Sequence, residues 1–170
     1  SSVENTYANE ASYNNHIGVP LSLTRVPSSA RYCILEIGMN KKGEIRELSK
    51  FIKPHVVIIT AIEKAHLLGL KNLKNIALAK SEILEKVPSD GCLIFNGDTN
   101  YYELINNKAK KLNIKNIISY GKKKSVNIRL NDYKIKNNNY LVSVNCYGKN
   151  LSWKMPAIGE HWIYNSLSLI

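Results

Sequence analysis

No stretch of the 170 residues is apolar for long enough to cross a bilayer, and the opening Ser1-Ser2-Val3-Glu4-Asn5 has neither the basic flank nor the apolar run of a secretory signal. Membrane insertion is therefore not expected. Cysteine is scarce: Cys33, Cys92 and Cys146 are an odd number, widely spaced, with no Cys-x-x-Cys pair among them. That speaks against a disulfide framework and against zinc spacing, and fits a reducing cytoplasm. The four histidines enter no Ser-His-Asp order and no Cys-His nucleophile signature, so a hydrolase reading has little support. A Gly-x-x-x-x-Gly-Lys-Ser/Thr phosphate loop occurs nowhere, which argues against a free-standing ATPase. Acidic residues are few, 13 against 24 lysines and arginines, for a formal net charge of +11. Such an excess attracts polyanions, so nucleic acid, acidic membrane and nucleotide phosphates all qualify as partners, and charge alone does not choose among them.

What is present suits one folded domain. Hydrophobic residues make up 44% and charged residues 22%, ordinary values for a packed globular chain of this length. Much of the positive charge lies in Lys108-Ala109-Lys110-Lys111, Lys122-Lys123-Lys124 and Lys134-Ile135-Lys136, among asparagines, where a solvated surface accounts for it. Residues 17–25 can form a short helix with Pro20 in its first turn. Tyr32-Cys33-Ile34-Leu35 is a continuous apolar run, which predicts a strand buried on both faces of a parallel sheet. Ile45, Leu48 and Ile52 share a helical face before Pro54, and Val56-Val57-Ile58-Ile59-Thr60 predicts the next strand, completing a βαβ step. A helix over 72–87, a strand at Cys92-Leu93-Ile94-Phe95, a helix over 101–112 and a strand over 116–120 continue the alternation. From Ser125 the period falls to two through Val126/Ile128/Leu130, Tyr140/Val142/Val144 and Leu151/Trp153/Met155. The fold class expected is therefore α/β, a mostly parallel sheet flanked by helices over about residues 1–121. A small antiparallel meander over about 125–156 and the start of a helix over about 160–170 complete it.

Several side chains could carry chemistry. Glu36 follows the first apolar strand, at the carboxyl edge where open parallel sheets bind ligands, and a carboxylate there suits Mg²⁺ or simply meets solvent. His66 lies in the loop after the second strand and could ligate a metal through a neutral imidazole or pack as a surface residue. Lys80 stands on an apolar-striped helix among Ala77, Ala79 and Ser81, where a lysine ordinarily extends its stem toward water. Asn14-Asn15-His16-Ile17-Gly18 and Gly159-Glu160-His161 each open a helix, and either could receive an anion or act as a plain cap.

The order of these pieces resembles the central domain of Mur ligases. The segments are Asn14-Asn15-His16-Ile17-Gly18-Val19-Pro20-Leu21, Leu35-Glu36-Ile37-Gly38-Met39-Asn40 with Gly43-Glu44-Ile45, Ala65-His66-Leu67, Ala79-Lys80-Ser81-Glu82-Ile83, Asn96-Gly97-Asp98, and Gly159-Glu160-His161-Trp162-Ile163-Tyr164-Asn165. They run through nearly the whole chain and are most similar to family members that join D-alanyl-D-alanine to UDP-N-acetylmuramoyl-tripeptide. The resemblance implies a P-loop NTPase-like fold, ATP and Mg²⁺ as cofactors, and amide formation through an acyl phosphate in peptidoglycan precursor synthesis. On that basis Glu36 would hold one Mg²⁺, and His66 a second. Lys80 matches the lysine that the family carbamylates to help position metal. Asn165 would touch adenine and His161 would stand beside it, with Asn96 and Asp98 near the nucleotide and Asn14 and Asn15 near phosphate or substrate.

The match departs from the family where Ala11-Ser12 replaces Gly-Asn, Ala61 an Asn, Leu68 an acid and Trp162 an Asn. The resemblance also implies that the phosphate loop and its strand precede residue 1, with a substrate domain before them and another domain after the last helix. The expectation is thus a single truncated central domain, inactive alone, cytoplasmic and monomeric. Two other readings compete. A basic nucleic-acid-binding domain would need aromatic residues interleaved with lysines on one sheet face, and no such stripe stands out; folylpolyglutamate synthase is disfavoured by the Asn14 to Pro20 match.

Overall fold

The computed structural model describes residues 5–9, 13–63 and 67–170, without the side chains of Leu67 and Leu68. Strand β1 (Thr6–Ala8) is followed by helix α1 (Gly18–Thr24), strand β2 (Tyr32–Ile34), helix α2 (Glu44–Ile52) and strand β3 (Val56–Ile59). Helices α3 (Leu67–Leu70) and α4 (Leu73–Lys80) lead into a 3₁₀ turn (Ser81–Lys86), then β4 (Cys92–Asn96), α5 (Tyr102–Lys111) and β5 (Asn116–Gly121). The chain closes with β6 (Ile128–Lys136), β7 (Asn139–Cys146), β8 (Lys149–Pro156) and α6 (Glu160–Leu167).

Six strands form one sheet in the order β3-β4-β5-β6-β7-β8. The pairs from β3 to β6 are parallel and the last two are antiparallel, so the meander extends the parallel sheet instead of forming a separate layer. Alternation along β4 sends Leu93 and Phe95 to a core with Val57, Ile59, Leu84, Ile105 and Ala109, while Ile94 faces the opposite core beneath Ile163 and Leu167 of α6. Helices thus cover both faces, the usual solution for a parallel sheet. A third core joins Met39, Ile45, Leu70, Ile76 and Ala79.

The first apolar run behaves differently from the expectation. β2 is exposed along its length and pairs in parallel with β1, Thr6 opposite Tyr32 and Ala8 opposite Ile34, in a separate two-stranded sheet. Apolar composition marks a segment as suited to a sheet but does not name its neighbours, so residues 32–34 and 56–59 do not form the expected paired βαβ step. The polar lead-in supplies the partner. The helix expected over 72–87 is also divided. It is α-helical to Lys80 and tightens into the 3₁₀ turn before Val87 becomes extended ahead of Pro88. Residues three apart eclipse in such a turn, so Glu82 and Glu85 both face Arg46 of α2.

α2 forms where the sequence supplies Glu44 and Glu47 in the first turn and Lys50 in the last, matching the helix dipole, and it ends at Lys53 with a left-handed φ of 45° before Pro54. Buried Glu82 accepts hydrogen bonds from the Gly43 and Arg46 amides at its start. In the meander, Tyr133, Tyr140 and Trp153 face the α6 core, whereas Lys134 and Lys154 flank Leu141 on the other face. These aromatic side chains and these two lysines therefore lie on opposite faces. Among the described residues no helix is long and apolar enough to cross a membrane.

Candidate active site

The carboxyl ends of β3, β4 and β5 deliver three segments to one edge of the sheet: Thr60-Ala61-Ile62, Asn96-Gly97-Asp98-Thr99 and Gly121-Lys122-Lys123. Ligands of open parallel sheets bind at such an edge. Ile59 through Ile62 pack there against Phe95, Asn96, Thr99 and Ile105, leaving no space for even a water molecule between them.

Lys80 ends α4 beside this edge. Its ammonium donates to the Ala61 carbonyl oxygen at 2.7 Å, so the side chain turns back to the loop after β3 instead of extending to water. Burial pushes its pKa below the ordinary lysine value, and the Glu63 charge opposes that shift. The amine is consequently easier to deprotonate than a surface lysine.

Glu36 sits just past β2 in a small hydrogen-bonded web. Asn14 Nδ2 donates to Glu36 Oε1 at 2.8 Å, the Glu36 amide donates to Asn9 Oδ1 at 3.0 Å, and the Gly38 amide donates to the Asn14 carbonyl at 2.7 Å. Asn15 has a separate task. Its Oδ1 accepts from the Ile17 and Gly18 amides at 3.0 and 2.8 Å, capping α1. Asn14 and Asn15, adjacent in sequence, therefore serve a carboxylate and a helix start.

Asn96 and Asp98 shape the neighbouring loops. Asn96 Oδ1 accepts from the Asp98 amide at 2.8 Å, and Asp98 accepts from the Lys122 and Lys123 amides at 2.7 and 3.1 Å. The Asp98 carboxylate lies so close to Gly121 that a Cβ there would stand 2.6 Å from it, and Gly121 has a φ of +151°. Glycine is required at that contact.

At the start of α6, Lys122 Nζ lies 3.3 Å from Glu160 and 5.6 Å from the Tyr164 ring centre. Hydrogen bonding to Tyr164, with Glu160 adding to it, raises the Lys122 pKa. His161 is exposed, with its ring 5.7 Å from that of Trp162, and half-buried Asn165 follows on the next turn. The candidates Asn165 and His161 thus share one short helix with an exposed tryptophan.

Among the described residues no group of three or more histidine, cysteine or carboxylate side chains gathers in one place. His66 lies outside the described residues, so its expected part in a metal site has no geometry here. Glu36 by itself fits a hard cation: it is exposed, oxygen-bearing and anchored, and Mg²⁺ commonly takes one or two protein carboxylates while substrate phosphates and water supply the rest.

The family described as Mur ligase middle domain matches residues 2–170. The chain belongs to that family. It is 31% identical over 159 residues to the UDP-N-acetylmuramoyl-tripeptide--D-alanyl-D-alanine ligase of Rickettsia prowazekii, covering 94% of this chain and 35% of that protein. A crystal structure of MurF from Acinetobacter baumannii superimposes with a TM-score of 0.87 at 26% identity, over 96% of this chain and 35% of that one. MurF from Thermotoga maritima in complex with ADP has the same fold, with a TM-score of 0.84 at 17% identity over 96% of this chain and 37% of that one. This Mur ligase middle domain spans about a third of the length of the curated relatives it matches.

Within the Mur ligase middle domain, Glu36 and Lys80 make no ion pair with each other, but their neighbours converge. Ile37, Ala79 and Ile62 all pack into the core beneath α2 and α4, so that core carries both side chains. Glu82 is hard to recognise in the sequence because its role depends on Gly43 and Arg46, 39 and 36 residues away. Its position two residues after Lys80 is the only local signal.

Proposed function

We propose that this chain is the central, nucleotide-using part of a longer, cytoplasmic and monomeric ATP-dependent ligase that joins D-alanyl-D-alanine to UDP-N-acetylmuramoyl-tripeptide in peptidoglycan precursor synthesis. The observation that carries the reading is Lys80, a withdrawn amine of lowered pKa held at the carboxyl edge of the sheet within a Mur ligase middle domain. A surface-directed lysine would not need that placement.

In this reaction a carboxylate oxygen of the tripeptide attacks the γ-phosphorus of ATP, ADP leaves, and an acyl phosphate forms. The amine of D-alanyl-D-alanine then attacks the acyl carbon, loses a proton and expels inorganic phosphate, leaving the new amide. Both steps concentrate negative charge, which Mg²⁺ held by Glu36 and His66 would offset. A neutral Lys80 amine can add to CO₂ and release a proton, becoming a carbamate that is an anion able to help hold metal in place of a cation that repels it. Asn165 and His161 would contribute to holding the nucleotide. Asn96 and Asp98 keep the loops after β4 and β5 in shape around the nucleotide, supported by their bonds to the 98 and 122–123 amides.

The share of the relatives' length and the sheets themselves support a longer protein. Among the described residues β2 pairs only with β1 and β3 only with β4, so each has one edge to which a further strand, such as one leading into a phosphate loop, could add. The test is phosphate release and product mass from the whole ligase with ATP, UDP-N-acetylmuramoyl-tripeptide and D-alanyl-D-alanine. Glu36→Gln and Lys80→Ala should each lower turnover by about 100-fold or more, and the 170-residue chain alone should release no phosphate. Ligation by the isolated chain, or full activity in the Lys80→Ala ligase, would overturn the reading.

A further inference from the structure

We infer that Asn14 is a positioning residue for Glu36: its side-chain amide fixes the orientation of the carboxylate that receives the metal, and Gly38 is the residue that admits it. This rests on the role proposed for Glu36.

Three observations carry the inference. The first is the hydrogen bond from Asn14 Nδ2 to Glu36 Oε1 at 2.8 Å, between residues 22 apart in sequence. Glu36 makes no ion pair among the described residues, so this amide is the group that orients it. The second is that Asn14 is itself held. Its carbonyl accepts from the Gly38 amide at 2.7 Å, and Asn9 ties both neighbours, donating from Nδ2 to the Tyr13 carbonyl at 3.3 Å and accepting the Glu36 amide at 3.0 Å. The third is steric. A Cβ at Gly38 would lie 3.1 Å from Asn14 Cγ and Oδ1, tight enough that the amide would have to give way.

An exposed glutamate ordinarily samples several rotamers, and each is lost when a cation is bound. A neutral amide donating to one oxygen removes most of that freedom beforehand and adds no charge that would compete with the metal. A lysine or arginine in the same place would hold the carboxylate equally well but would repel the cation. An asparagine with its own backbone anchored to the glutamate's loop satisfies both demands.

The test uses the ¹⁵N-labelled whole ligase with ATP and Mn²⁺ as the probe, read by paramagnetic line broadening, with thermal melting as a check on folding. In the wild type, broadening should centre on residues 14 and 36–38, and Glu36→Gln should abolish it. Asn14→Ala should shift the Mn²⁺ concentration for half-broadening upward by about 10-fold or more at an unchanged melting temperature. Gly38→Ala keeps Asn14 but displaces its amide, and it should produce the same shift; it carries the test if Asn14→Ala fails to fold. Wild-type Mn²⁺ affinity in a folded Asn14→Ala or Gly38→Ala ligase would overturn the inference and leave the role of Glu36 standing. Absence of any Glu36-dependent broadening in the wild type would overturn both.

Discussion

Replacing Glu85 by glutamine removes the charge at the centre of the ion network that ties three helical elements together. Arg46 of α2 donates to it from Nε at 2.6 Å and from Nη2 at 3.1 Å, and Lys108 of α5 donates at 2.9 Å. The Arg46 guanidinium first, and Lys108 after it, hold the Glu85 carboxyl at about 2 against an ordinary 4.5. At about 1.4 kcal/mol per pKa unit the depression corresponds to at most about 3.5 kcal/mol. The Arg46 side chain is 41% exposed, so screening reduces the expected contribution to about 1–2 kcal/mol. Because the folded-state value is the lower one, the contribution is complete above about 4.5 and is lost as pH falls toward about 2. Urea unfolding of the wild type and Glu85→Gln should therefore differ by about 1–2 kcal/mol at neutral pH, and by roughly half that or less at pH 3. An equal difference at the two pH values, or none at neutral pH, would refute the assignment of this network as a stabilising one.

Two further outcomes follow from other contacts. Gly121→Ala should destabilise the chain by about 2 kcal/mol. The double variant with Asp98→Ala should lose less than the two single changes together, since removing the carboxylate opens the space a new Cβ needs; strict additivity in urea melts would show that the contact is not the cause. Burial lowers the Lys80 pKa, so between that value and the ordinary 10.5 the unfolded chain binds the proton more tightly. Stability of the wild type should accordingly rise relative to Lys80→Gln as pH increases from 7 into that range, and a flat difference would contradict a buried amine.

Much of this architecture could be read from local pattern. The run Val56-Val57-Ile58-Ile59 and the period of two through Tyr140, Val142 and Val144 announce their strands because continuous or alternating apolar residues suit a pleated sheet, although one face of β3 stays exposed at Val56 and Ile58. The expectation of a mostly parallel sheet with an antiparallel end therefore agrees with the structure. Pairing is another matter. Tyr32-Cys33-Ile34 looks as buried as β3, yet it pairs with a polar lead-in that carries no strand signal of its own. Glu36, Lys80, Asn14 and Asn15 all stand out in the sequence as candidates, but the bond that joins Asn14 to Glu36 does not. Two adjacent asparagines before a helix look alike until folding brings one of them to a carboxylate 22 residues away. The same holds for Asp98, whose partners are amides 24 and 25 residues downstream.

The open flank of β3 bears on how this polypeptide behaves in a test tube. Val56 and Ile58 are 56% and 41% exposed, and among the described residues no strand pairs with the outer side of β3, a template on which a second molecule can add its own strand. What opposes that zippering is the surplus of lysine, which makes every pair of molecules repel. Concentrated salt shortens the reach of the repulsion while strengthening apolar contact, so salting should turn a clear solution cloudy.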